Sequence, residues 1–288
     1  GVYVSKNNSS SYTVALSKNT VVGNGGTGIY AYTSYSSGSL SVPVSNSIIS
    51  GNGSYGIRSS GNASASSSYN LVWGQTYNHD GFSPAGSVIS ENPLFVAVAS
   101  RDLRITSNSP ARKHASDGSD IGALPYDDAP TVGVQGHLYV DTTWSGTVNV
   151  LGDVTVEPGV TLTVQPGTTV HFAANADSMG GNANTTRTEL RVLGTLAVSG
   201  TAASRVLFDA SGASSPAWAG VFLLPSAGAS LLDHLTIREA TIGLTSSAPS
   251  PARLAHSILE KNGVGVSVTG GAIALDTLTV RNNSGTGV

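Results

Sequence analysis

The chain has 288 residues, 39% of them hydrophobic and 11% charged, with 35 glycines, many Ser, Thr, Asn and Val, and no cysteine. A net charge of −3 with scattered Lys and Arg argues against a nucleic-acid partner. No apolar run reaches the ~18 residues of a spanning helix, so no membrane insertion is expected, and the missing cysteines exclude disulfides and thiolate metal sites. Few helix formers beside abundant β-branched and turn residues predict an all-β fold.

In chain order, the opening GVYV is followed by short alternating runs at Tyr12 to Leu16, Asn19 to Val22 and Ser47 to Ser50, which read as strands between Gly/Asn turns. Strands this short need stacked neighbours. An apolar pair, several polar residues and a glycine before Ile, Leu or Val recur, placing Gly28, Gly56, Gly243, Gly265 and Gly287 at equivalent positions, the last three spaced by 22 residues. Such a period predicts a solenoid of structural repeats. YAYTSYSSGSLSVPVS reads as a Ser/Tyr-rich insertion between the first two copies. The copies run into Gly1 and Val288, so both ends are expected to cut through a coil.

Asn92-Pro-Leu-Phe95, Asp102-Leu-Arg-Ile105, Ser109-Pro-Ala111 and Asp120-Ile-Gly-Ala123 follow in that order. From about Val134 a second series begins, with alternation at Val148/Val150, Val154/Val156, Leu162/Val164, Val170/Phe172, Leu190/Val192, Leu196/Val198 and Val206/Phe208. Glu157-Pro-Gly159 and Gln165-Pro-Gly167 punctuate it with tight turns. The first set resembles the closing coil, and Val156 to Val221 resembles the opening coils, of right-handed parallel β-helix proteins of the pectate-lyase-like superfamily, including the β-helix repeat proteins of bacterial surfaces. The resemblance implies an all-β, right-handed parallel β-helix solenoid in two tandem units. Residues 1–126 would be the C-terminal coils of a first β-helix, 127–134 a linker, and 135–288 the N-terminal coils of a second.

In that superfamily, carboxylates on adjacent coils bind calcium or act about a sugar bond. Here the first carboxylate is Asp80, and the paired Asp, Gly-His-Gly and Arg-x-Lys patterns of catalytic members are missing. No catalytic residue is therefore assigned. Asp209, Asp233, Glu239 and Glu260 are the positions that a lyase or hydrolase reading would use. Asp102, Asp117 and Asp120 read as turn caps, with calcium at Asp117 and Asp120 as the alternative and no other cofactor implied. Asp127/Asp128 reads as a solvated linker doublet. His234 and His256, 22 apart, read as a repeated outward position continued by Thr277, with a metal as the alternative. Asn24, Asn52, Asn262 and Asn283 read as a stacked amide ladder.

Tyr30, Tyr32 and Tyr35, with Tyr69 and Tyr77, offer aromatic faces to a polysaccharide or cover for a loop. The leading expectation is a non-catalytic, secreted or cell-surface scaffold of bacterial type, an adhesin- or fibre-like segment whose partners are further coils or copies of itself end to end. The alternatives are a carbohydrate-active enzyme and a glycan-binding module.

Overall fold

A computed structural model describes residues 1–288. Apart from one 3-10 turn at Val98–Ser100, the regular structure is all strand. Two compact units are formed by Gly1–Val132 and Gly133–Val288.

In the N-terminal unit three sheets of parallel strands share one core. The first sheet pairs Val2–Ser5, Ile29–Thr33, Tyr55–Gly61 and Tyr77–Asp80. The second joins Tyr12–Thr13 and Leu16–Ser17 to Leu40–Ser45, and that strand to Ala63–Ser68. Thr20–Val22, Ile48–Ser50, Asn70–Trp73 and Val88–Ile89 form the third. The chain visits the three in turn and then returns to the first, one strand further along, a path compatible with a β-helix. The supposed insertion after Gly28 is thus no insertion. It contains most of the strand Ile29–Thr33 and all of Leu40–Ser45, with Ala31, Leu40, Val42 and Val44 buried.

Repeated glycines sit where successive turns touch. A Cβ on Gly28 would lie 2.8 Å from the Gly56 carbonyl oxygen and 2.9 Å from Ile49, and one on Gly265 would lie 2.2 Å from the Gly287 carbonyl oxygen. Close backbone approach, rather than a special φ, requires glycine there. The asparagines bond along the axis. Asn52 Oδ1 accepts from Asn24 Nδ2 at 2.9 Å and from the Asn24 N–H at 3.1 Å, while Asn262 Oδ1 accepts from the Ala240 N–H at 3.0 Å. Asn283 Oδ1 in turn accepts from the Asn262 N–H at 2.9 Å. These amides satisfy backbone donors that the corners leave unpaired.

Phe95–Ala97 and Asp102–Ile105 differ from the expected parallel coil, because they pair antiparallel. Ile105, Ala111, Ala115 and Ile121 then pack on Ile48 and Leu71 as a separate small core. Residues 129–132 bond back to the same unit, the Ala129 carbonyl accepting from Ser107 N–H and the Val132 N–H donating to Asn108 Oδ1.

The C-terminal unit is more regular. Its first sheet runs through Val134–Leu138, Thr147–Val156, Glu189–Val192, Gly220–Leu223, Ile242–Ser246 and Val264–Val268. Thr142–Trp144, Thr161–Val164, Thr195–Ser199, Leu231–Asp233, Ala252–Ala255 and Ile273–Asp276 make the second. A third series, Thr169–Phe172, Val206–Asp209, Leu235–Arg238, Ile258–Glu260 and Thr279–Arg281, starts from the same ten-residue strand Thr147–Val156, which turns a corner and joins it to the first.

Parallel register aligns like with like. Val154, Leu190, Val221, Leu244 and Val266 form one inward row; Trp144, Val164, Val198, Leu232 and Leu254 form another. A third consists of Val170, Phe208, Ile237 and Leu259. All of these residues are buried, and each such side chain contributes about 1.5–3 kcal/mol. The Phe172 and Trp218 rings stack at 3.9 Å between centroids with planes 2° apart inside this core.

Candidate functional site

Alternation on Ile29–Thr33 turns Ile29, Ala31 and Thr33 inward and leaves Tyr30 and Tyr32 outward. Register then places Tyr3, Tyr30, Arg58 and Asp80 in one outward row across the first sheet of the N-terminal unit. Tyr3 and Tyr30 lie 5.5 Å apart by ring centroid, Tyr30 and Tyr32 6.0 Å, and Tyr55 stacks on Tyr77 at 5.3 Å. Arg58 joins the two groups. Its guanidinium carbon is 5.4 Å from the Tyr30 centroid and 4.6 Å from the Tyr55 centroid, and its Nε is 2.9 Å from Asp80 Oδ2.

Tyr3 and Tyr77 are exposed, and Tyr30, Tyr32 and Tyr55 half-buried. The face therefore presents five aromatic rings around one cation on a hydrogen-bonded sheet. Aromatic faces stack on the C–H surfaces of sugar rings, and the phenol and guanidinium groups bond to hydroxyls. Of the tyrosines named from sequence, Tyr30, Tyr32 and Tyr77 belong to this face. Tyr35 lies beyond the strand end, where its carbonyl accepts from Asn62 Nδ2 at 2.8 Å. Tyr69 occupies a left-handed corner with φ 52° on the third sheet's side. Tyr3, Tyr55 and Arg58 are additions that sequence spacing missed, because the strands they belong to are separated by loops of unequal length.

In the C-terminal unit the outward row of the third series reads Asn149, His171, Asp209, Arg238, Glu260 and Arg281, one residue per turn. From Asp209 to Arg281 acidic and basic residues alternate along it. Asp209 accepts from His171 Nδ1 at 2.5 Å and from Arg238 Nη2 at 2.7 Å, and Glu260 accepts from Arg281 Nε at 2.8 Å. Burial alone would raise the Asp209 carboxyl, but Arg238, the Ser211 N–H and His171 outweigh it and hold it below the usual carboxylate range. Glu239 is buried, and its Oε2 accepts from the N–H groups of Ala210 and Gly212 at 2.9 and 3.1 Å, tying down that loop. A cavity of about 410 Å³ beside this corner is lined by Ser214, Ser215, Arg238, Lys261, Asn282 and Ser284, with Glu239 its one carboxylate.

Two further carboxylates are perturbed. Burial, with repulsion from Asp177, pushes Asp153 up to about 8, and burial pushes Glu189 up to about 7 against the pull of Arg191. Raised carboxyls are what a general acid needs, yet both residues lie beneath the excursion between Phe172 and Glu189, at 1% and 2% exposure. Their bonds are to that excursion. Asp153 accepts from the Glu189 N–H at 2.7 Å and from Asn182 Nδ2 at 2.8 Å, and Asp177 accepts from the N–H groups of Asp153 and Met179. These bonds fasten the excursion to the sheet. Sequence gave no hint of the group, since its members stand far apart with no motif between them.

Asp233, His234 and His256 meet at a corner of the second sheet. Asp233 Oδ1 lies 2.9 Å from the Nδ1 atoms of both histidines. His234, His256 and Thr277 share a left-handed conformation with φ 48°, 47° and 53°, so the repeated position expected from their spacing is a recurring corner. Asp276 is held by Arg253 at 2.7 Å.

Asp117 and Asp120 each have protein partners. Ser119 and Lys18 hydrogen-bond Asp117 and keep its carboxyl well below the usual range, while Asp120 accepts from the N–H groups of Lys113 and Tyr126. Asp102 is paired by Arg104 at 2.7 Å. No protein-family profile, curated protein or solved structure matches the chain.

Proposed function

We propose that the chain is a right-handed parallel β-helix that serves as a non-catalytic scaffold of the cell exterior. Right-handedness follows from the general hand of parallel crossovers. The observation that carries the non-catalytic reading is the Asp209 row. A glycosidase needs two carboxylates free to reach a sugar bond, whereas Asp209 and Glu260 are consumed by arginines one turn away and Glu239 by backbone donors. A low-charge surface rich in Ser, Thr and Asn, with no thiol to oxidise, suits an exterior location.

The tyrosine face favours a second role within the first, that of docking a glycan. Five rings on a rigid sheet lose little entropy when a ligand binds, and Arg58 supplies donors at their centre. A panel of neutral and acidic polysaccharides tests both readings. Retention without new reducing ends, weakened by Tyr30→Ala and Tyr55→Ala, is expected. New reducing ends or unsaturated uronates overturn the scaffold; no retention on any glycan overturns the docking face alone.

A further inference from the structure

The corner at Asp233, His234 and His256 carries more than a periodic surface position requires. The two imidazoles stack with centroids 4.7 Å apart and planes at 21°, as successive turns of the chain dictate. Their Nδ1 atoms both face the same carboxylate oxygen, each at 2.9 Å. His256 Nδ1 bonds that oxygen in line. His234 Nδ1 is buried and stands off the hydrogen-bond direction, so this polar atom is close to an anion yet has no hydrogen-bond partner. An unsatisfied buried nitrogen is a cost that a shared cation removes.

We infer that Asp233 Oδ1, His234 Nδ1 and His256 Nδ1 form a binding site for a borderline divalent metal ion such as Zn²⁺. Each of the three residues offers one ligand atom within 4.8 Å of those of the other two. A tetrahedral ion with bonds of about 2.0–2.2 Å needs them roughly 3.3 Å apart, which small rotations of the two rings and the carboxylate supply. Two imidazole nitrogens with one carboxylate oxygen select Zn²⁺ over Ca²⁺ and Mg²⁺, which take oxygen ligands in larger number.

Neighbouring charge permits the ion. Arg253, on the strand that pairs with Leu231–Asp233, is neutralised by Asp276 at 2.7 Å, and Arg205 is turned to the carbonyls of Leu235 and His256. Three protein ligands leave a fourth position, and it opens outward because the His256 side chain is 40% exposed and that of Asp233 30%. Water, or a donor group of a bound molecule, takes that place.

The test is calorimetric titration of the untagged 288-residue chain with Zn²⁺ alone, beside His234→Asn, His256→Asn and Thr277→Asn. Asparagine tolerates the left-handed corner that all three positions adopt, so the variants keep the fold, which melting in chelator verifies. Wild type and Thr277→Asn should bind alike, each histidine variant should take up one equivalent less, and Ca²⁺ and Mg²⁺ should not compete. Absence of Zn²⁺ uptake by wild type, or uptake unchanged in both histidine variants, overturns the site.

Discussion

Replacing Arg238 by Met removes a guanidinium from Asp209 while keeping most of the side chain's length. Asp209 is 1% exposed, and its carboxylate would be left with His171 at 2.5 Å and the Ser211 N–H at 3.1 Å. Breaking a buried ion pair from one side costs about 3–5 kcal/mol. Arg238 itself is 30% exposed, and water entering its place lowers the expected loss to about 2–3 kcal/mol. Urea unfolding followed by far-UV circular dichroism at neutral pH reads this directly.

The sign with pH is fixed by the depressed carboxyl. Asp209 stabilises the fold above its unfolded pKa and ceases to do so as pH falls through the lower folded value. The gap between wild type and Arg238→Met should therefore be widest near neutrality and shrink on acidification. Asp209→Asn combined with Arg238→Met should cost less than the sum of the two, by about 1–2 kcal/mol. If Arg238→Met unfolds within about 0.5 kcal/mol of wild type, the alternating row is not structural, and Asp209 is free for other work.

Asp153 and Glu189 keep protons in the folded chain that the unfolded chain loses near pH 4, so their contribution is greatest below that pH. It falls by about 1.4 kcal/mol per pH unit for each group as pH rises toward the folded values; melting temperatures from pH 5 to 8 should decline, Asp153→Asn should flatten the decline, and a flat wild-type profile contradicts the assignment. Gly28→Ala meets Gly56, Ile49 and Asn52 within 3 Å and should cost about 1–3 kcal/mol, whereas Gly25→Ala meets nothing within 4 Å and should be neutral; equal melting curves refute the close-approach argument. Leu162 is fully buried, so Leu162→Asp, which puts an unpaired charge in the core, should unfold the C-terminal unit; an unchanged melting curve places Leu162 outside the core.

The strands from Val148 to Phe208 were legible because two signals coincide there: strict alternation, and Pro-Gly turns at Pro158-Gly159 and Pro166-Gly167 that fix where each strand stops. The glycine copies were legible for a different reason, as contact between turns admits no side chain. Alternation exists at Ile29 to Thr33 and Leu40 to Ser45, but it was masked by the small or polar inward residues Ala31 and Thr33 and by the Ser/Gly-rich residues 34–39 between the two strands. It failed at Phe95 and Asp102, whose antiparallel pairing depends on the tight turn at Arg101, a non-glycine residue at φ 63°. The sites were less legible than the strands. Charge pairs such as Asp209 with Arg238 and aromatic contacts such as Arg58 with Tyr55 form across turns of the chain, and loop lengths between turns vary, so partners recur at no constant spacing. His234 and His256 were visible because their turns happen to carry no extra loop.

The central claim is that the carboxylates of the Asp209 row serve the fold and not a reaction. Wild type, Asp209→Asn and Glu260→Gln, held at high protein concentration with acidic and neutral polysaccharides in the presence of Ca²⁺ and then of Zn²⁺, test it most directly. The expected result is no new reducing ends and no unsaturated uronate from any of the three, with Asp209→Asn distinguished only by a lower melting temperature. Turnover by wild type that either variant abolishes without a loss of stability contradicts the account.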